Sequence, residues 1–236
     1  MHLLGTALTA AAGLLAAGCG QQTGTTAKQE GSAYDGCTLA NVQRAGPVIA
    51  RADVDGDGKA DEIRLTGPDA SHCAGSLVAT TSAGVVGTRV QDLDLVVGSA
   101  RVVDLTGDGG DLVLLEAQPH PRDGAQSHLF GYGNDELTEV TVDGKPLLPF
   151  VATDGGGSPM SATCTDDGGI EVVTAITHEP PGIVLAWDVR RTTYAIEDGT
   201  ARQNGTPTVE EAVVDPLLRK EEPELFTGKL LTDCAR

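Results

Sequence analysis

Nine consecutive residues, Asp53-Val54-Asp55-Gly56-Asp57-Gly58-Lys59-Ala60-Asp61, put carboxylates at positions 1, 3, 5 and 9 of one run, with glycines at positions 4 and 6. In a tight loop the odd spacing turns alternate side chains to one side, so these oxygens can converge on a point. The glycines supply the positive-φ backbone such a turn needs. Four carboxylates held that close repel one another unless a cation sits between them. With no His or Cys in the run, the cage is all oxygen and suits a hard ion, and large, flexible Ca2+ suits it best. A solvated Asp/Gly turn is the competing reading, since both residues favour turns. Strict i, i+2, i+4 repetition of Asp favours the metal. Carboxylates engaged with calcium are poor general acids or bases, and calcium activates water weakly, so the expected role is structural.

The elements that must position this loop are strands. An EF-hand needs a Glu at loop position 12, where this chain has Arg64, and it needs flanking helices. Here the flanks are the short Val48-Ile-Ala-Arg-Ala52 and the alternating Glu62-Ile63-Arg64-Leu65, whose period of two marks a half-buried strand. The cation is therefore expected to staple a strand–loop–strand hairpin. Further apolar or alternating runs fall at 76–81, 93–97, 100–105, 112–116, 126–132, 136–142, 170–177 and 183–196, separated by turns such as Asp143-Gly144 and Asp198-Gly199. Evenly spaced short strands predict an all-β fold, a sandwich or a propeller. One helix is expected over Pro216–Phe226, interrupted by Pro223. An internal repeat sharpens the picture. Asp53-Val-Asp55-Gly-Asp57 aligns with Asp104-Leu-Thr106-Gly-Asp108, 51 residues on, and each loop lies between two strand-like runs. A third, eroded copy falls at Ala162-Thr-Cys164-Thr-Asp166-Asp167. Repeats of this length usually mean one four-stranded unit each.

The pattern Asp-x-Asp-Gly-Asp-Gly-x-x-Asp between two strands resembles the FG-GAP or VCBS-type repeat, the calcium-loop unit of integrin-α-like β-propellers. The resemblance is close at Asp53–Asp61, partial at Asp104–Asp111, and covers roughly residues 45–200. It implies calcium held by Asp53, Asp55, Asp57 and Asp61 with the Lys59 carbonyl as a further oxygen. It also implies a weaker second site at Asp104, Thr106, Asp108 and Asp111, where Thr106 replaces a carboxylate and Asp111 comes one residue early. The third copy lacks the spacing and is expected to be metal-free. Three units imply about three blades, an incomplete or small propeller, with a β-sandwich as the alternative.

Both ends of the chain speak for export. Residues 1–18 carry no Asp, Glu, Lys or Arg and end in Leu15-Ala16-Ala17-Gly18 before Cys19, a segment too short to span a bilayer comfortably. Small residues directly before a Cys resemble the bacterial lipobox, although Ala16 stands where Leu is commoner and only His2 stands in for the usual basic start. That resemblance implies a signal peptide over 1–18, lipidation of Cys19, a Gln/Thr/Gly/Ser-rich tether to residue 35, and one domain over 36–236 on the outer face of a bacterial cell membrane. Five cysteines less a lipidated Cys19 leave Cys37, Cys73, Cys164 and Cys234. An even number in an exported chain suggests two disulfides, and of the three pairings the neighbouring ones, Cys37–Cys73 and Cys164–Cys234, are expected. Zinc is the rival reading, but no C-x-x-C occurs and His72 beside Cys73 is an isolated adjacency.

A net charge of −18 argues against nucleic acid and against an electrostatic hold on anionic lipid, so the acyl chains must do the anchoring. The chain has no Gly-x-Ser-x-Gly, no His-Glu-x-x-His and no phosphate-cradling loop. Ser158, His120, His128 and His178 are the residues a calcium-dependent envelope hydrolase would have to use, and each reads by default as a loop residue. Trp187-Asp188 reads as a core-facing Trp on a strand. The expected function is a non-catalytic binding or scaffold role, with a protein or cell-wall partner that the sequence does not name.

Overall fold

The structure is a computed structural model that describes residues 46–67, 75–90, 97–105, 110–117, 127–148, 158–179, 184–228 and 230–234. It is all-β. The first sheet is an antiparallel meander of β1 (Val48–Ala52), β2 (Asp61–Leu65), β3 (Ser76–Thr81) and β4 (Gly84–Arg89). The second repeats that order with β5 (Val97–Val103), β6 (Leu112–Ala117), β7 (Ser127–Gly133) and β8 (Glu136–Glu139). Asp61 and Leu112 open the second strands and Ser76 and Ser127 the third, both pairs 51 positions apart. The third sheet has six strands. Its meander is β11 (Met160–Cys164), β12 (Ile170–Thr177), β13 (Ala186–Glu197) and β14 (Thr200–Val214). The short β9 (Thr141–Val142) and β10 (Lys145–Pro146) extend it, β9 running parallel to β14 where Thr141 meets Thr200.

The sheets pack in series, and the sequence pattern follows from where each lies. In the first sheet Ile63, Leu77 and Ala79 turn one way, onto Val113, Leu115 and Phe130 of the second. The opposite face of the second sheet presents Leu112, Leu114 and Leu129 to Ala162, Ile170 and Val172 of the third. A sheet buried on both faces needs no polar alternation, which is why Leu112-Val-Leu-Leu115 reads as an unbroken apolar run while Asp61–Leu65 alternates. The far face of the third sheet, with Val173, Ala175 and Trp187, is covered by Leu218 of α1 (Asp215–Glu221) and Leu225 of the 3-10 turn Pro223–Phe226. The break expected at Pro223 is there. Trp187 is buried, and its indole N–H donates to Asp215 Oδ1 at 2.9 Å.

The C-terminal segment ties the second and third sheets together. Leu230 and Leu231 are buried, the Leu231 N–H donates to the Ala162 carbonyl, and the Asp104 N–H donates to the Cys234 carbonyl. Arg101 donates to the Leu230 and Leu231 carbonyls. Cys234 is disulfide-bonded to Cys164, with Cα atoms 5.5 Å apart. Cys19, Cys37 and Cys73 lie outside the described residues.

Several elements differ from the sequence reading. The run expected over 136–142 is two strands, because the chain changes sheet within it: β8 pairs with β7, the Val140 N–H still donates to the Leu129 carbonyl at the end of that ladder, and β9 then pairs with β10 and β14. Most of the expected 93–97 strand lies outside the described residues, and Val97 opens β5. The strand expected from 183 begins at Ala186. Four strands were not among the expected runs: β4, the two-residue β10, β11 and the fifteen-residue β14. β14 is exposed along most of its length and carries Gly205 and Pro207, so its ladder with β13, and not its composition, defines it. Among the described residues no helix is long and apolar enough to cross a membrane.

Candidate metal centre

The Asp53–Asp61 run joins β1 to β2 at the Ala52–Asp61 cross-strand pair, and Gly56 (φ 71°) and Gly58 (φ 82°) take the left-handed conformation that closes the loop. Asp53, Asp55 and Asp61 each offer a carboxylate oxygen, and the three oxygens lie within 4.8 Å of one another. The backbone holds these side chains in place. Asp61 Oδ2 accepts from the Val54 N–H at 3.0 Å, Asp53 Oδ2 from the Gly58 N–H at 2.8 Å, and Asp55 Oδ1 from the Asp57 N–H at 3.2 Å. The other oxygen of Asp53, Oδ1, is buried and has no hydrogen-bond partner. Asp61 is only 4% exposed, and burial, with the charges of Asp55, Asp57 and Asp53 adding to it, pushes its carboxyl up to about 6.

Asp57, expected as a ligand, stands apart from this group. It accepts from Ser82 Oγ at 2.5 Å, from the Lys59 N–H at 2.9 Å and from the Lys59 ammonium at 3.1 Å. The Ser82 hydroxyl, and then Lys59, hold its carboxyl below the usual range, and Asp57 in turn holds the Lys59 ammonium above its own. Ser82 sits in the β3–β4 turn. With β4 unread in the sequence, nothing pointed to that contact.

The donor set fits a hard cation. All three gathered groups are carboxylates, two are half-buried and one is buried, and one oxygen is left unsatisfied. A buried acceptor with no partner is costly, and a divalent oxygen-seeking ion placed among the three would satisfy it while cancelling their repulsion.

The second loop is arranged differently. Thr106 and Asp108 lie outside the described residues, whereas Asp104 and Asp111 are described. Asp111 is buried and turned toward the first loop. Its Oδ2 accepts from the Asp53 N–H at 2.8 Å, and its own N–H donates to the Asp53 carbonyl at 2.7 Å. Beside it, a Cβ on Gly110 would stand 2.0 Å from the Val54 carbonyl oxygen, so only glycine lets the two loops meet. In the third loop Thr165 Oγ1 donates to Asp167 and accepts from the Gly169 N–H, and the Thr165 N–H donates to the Gly169 carbonyl, a turn closed by its own hydroxyl. Asp53, Asp55 and Asp61 form the only three-acid group of this kind among the described residues.

Loops and hairpin turns of all three sheets meet around a cleft of about 610 Å³. Its walls carry Asp55, Asp135, Asp167 and Asp198, with Tyr132 and Ile196 between them. Tyr132 donates to Asp135 Oδ1 at 3.2 Å, and burial first, then that bond and the surrounding carboxylates, raise its hydroxyl above the ordinary tyrosine range. A cleft walled by carboxylates attracts cations and repels anions.

The two described histidines each pair with an acid, and His128, expected as a loop residue, lies on β7. His178 Nδ1 lies 2.6 Å from Asp188 Oδ1 and His128 Nδ1 lies 2.8 Å from Glu139 Oε1, while His128 Nε2 is buried without a partner. Ser158 is exposed just before β11, and His72 and His120 lie outside the described residues. Family models, curated proteins and solved structures were compared with the chain, and none matches it.

Proposed function

We propose that this chain is a calcium-stabilised β-repeat lipoprotein of the FG-GAP/VCBS type, held on the extracytoplasmic face of a bacterial cell membrane through lipidated Cys19, and that it binds or scaffolds without a reaction of its own. The observation that carries the proposal is the unsatisfied, buried Oδ1 of Asp53, whose carboxylate is gathered with those of Asp55 and Asp61. Those three carboxylates are the first-rank ligands of the proposed site. Asp57 and the Lys59 carbonyl complete the set if Asp57 exchanges its Ser82 contact for the ion. Three four-stranded meanders stacked face to face, each opening with a strand–loop–strand unit, support reading the sheets as blades. The acid-walled cleft supports a binding role.

The mechanism is linkage. Metal binds the folded loop and not the unfolded chain, so stability grows as RT ln(1 + [Ca2+]/Kd). Extracellular calcium modules have Kd of roughly 10⁻⁴–10⁻³ M, so the site fills only after export. Equilibrium dialysis against radioactive calcium tests the reading: wild-type protein retains the ion and Asp55→Ala does not. Equal retention by the two, or none by either, removes the calcium site from the proposal.

A further inference from the structure

Asp111 is the second loop's counterpart of Asp61. Each lies where the loop runs into the second strand of its sheet, and alignment assigns Asp111 to a weaker calcium site of its own. Its contacts point elsewhere. The Asp53 peptide is gripped on both sides by one residue of the neighbouring sheet, its N–H by Asp111 Oδ2 at 2.8 Å and its carbonyl by the Asp111 N–H at 2.7 Å. Asp53 is the residue whose Oδ1 is buried and unpartnered among the gathered carboxylates. Fixing its peptide fixes where that oxygen points. Gly110 brings the strut close enough, since a Cβ there would overlap the Val54 carbonyl.

We infer that Asp111 is a positioning residue for the first calcium loop: the acid of the second repeat serves as a strut across the sheet boundary, so that calcium affinity at Asp53, Asp55 and Asp61 depends on contact between the two loops. This rests on the calcium reading of the first loop. Groups that orient metal ligands without touching the metal typically change affinity by about 10–100-fold when removed, and a buried carboxylate that accepts a peptide N–H and sits beside a ligand has that relationship to it. The occupied first loop would in turn favour close apposition of the first and second sheets, since binding and loop contact must strengthen each other reciprocally.

The test is calorimetric titration of the full chain with calcium chloride, using wild type, Asp55→Ala, Asp111→Ala, Asp111→Asn and Gly110→Ala. Asp111→Asn keeps an oxygen that can accept the Asp53 N–H but removes the charge. The expected result is a calcium Kd about 10–100-fold weaker in Asp111→Ala, recovered to within about threefold of wild type in Asp111→Asn. Gly110→Ala, which forces the loops apart with the Asp111 carboxylate intact, is expected to weaken binding comparably and stands in if Asp111→Ala does not fold. Wild-type affinity in Asp111→Ala or in Gly110→Ala overturns the strut. Equal weakening in Asp111→Ala and Asp111→Asn also overturns it, because it makes Asp111 a charged ligand. A wild type that binds no calcium, or that binds it no better than Asp55→Ala, instead sinks the calcium reading on which the inference stands.

Discussion

Asp53, Asp55, Asp57 and Asp61 look equivalent in sequence, and their surroundings separate them. Asp61 is buried and its carboxyl is raised to about 6, by desolvation first and by its acidic neighbours second. Asp57 is exposed to Ser82 and Lys59 and lies below the usual range. The sign of the pH dependence follows. A carboxyl whose folded pKa exceeds its unfolded value of 3.8 binds more protons when folded, so without metal it destabilises the fold progressively as pH rises from about 4 to about 6 and by a constant amount above that. In EDTA, a urea midpoint measured at pH 7 and again at pH 5 is expected to be higher at pH 5, and Asp61→Asn is expected to flatten the difference. With calcium the slope reverses, because protons compete with the ion for Asp61. Asp57 and Glu62, both lowered, contribute stability that is lost as pH falls below about 3.8 and about 4.5 respectively, below the pH 5 to 7 comparison. The Asp spacing was enough to mark the loop, because inward-turning carboxylates are a local property of a tight turn. The separation of Asp57 and the redirection of Asp111 were not legible, since both depend on residues 25 and 58 positions away across strand and sheet boundaries.

At the scale of elements, strands that alternate or run apolar could be read, and strands defined only by their neighbours could not. Asp61–Leu65 and Leu112–Ala117 carry their burial in their composition, whereas β14 is largely exposed and owes its length to the cross-strand ladder with β13. Backbone contacts between hairpins are equally invisible in sequence. A Cβ on Gly133 would lie 2.3 Å from both the carbonyl carbon and oxygen of Asp198, which places the β7–β8 hairpin directly against the β13–β14 turn. Gly133→Ala is therefore expected to cost about 3 kcal/mol, as overpacking does. Gly144→Ala, at φ +74° with nothing within 4 Å of the new Cβ, is expected to cost only the left-handed backbone penalty of about 1–2 kcal/mol. Urea denaturation of the two variants checks the ranking.

For the whole molecule, the chain end closes the structure. Cys234 reaches back 70 residues to Cys164, and Arg101 and Asp104 of the second sheet bond the carbonyls of the same segment. Replacing both cysteines by serine is expected to destabilise the protein by about 2–5 kcal/mol, read as a lower urea midpoint that dithiothreitol reproduces in the wild type. At the other end, Cys19→Ser is expected to move the protein from the membrane pellet to the soluble fraction of a bacterial host; retention in the pellet would remove the lipid anchor from the account. The acid-walled cleft has no counterpart in any single stretch of sequence, because it exists only where three sheets bring their loops to one place.

With calcium in the Asp53–Asp61 loop as proposed, one acidic loop couples the ion to the stability of the whole domain. Thermal unfolding in excess EDTA and in calcium about a hundredfold above Kd, for wild type and Asp55→Ala, tests it most directly. The expected gain of about 2.7 kcal/mol corresponds to a rise of roughly 5–10 °C in Tm, present in the wild type and absent in the variant. Identical melting of the wild type with and without calcium would mean that no ion is linked to folding and leave Asp53–Asp61 as a solvated turn.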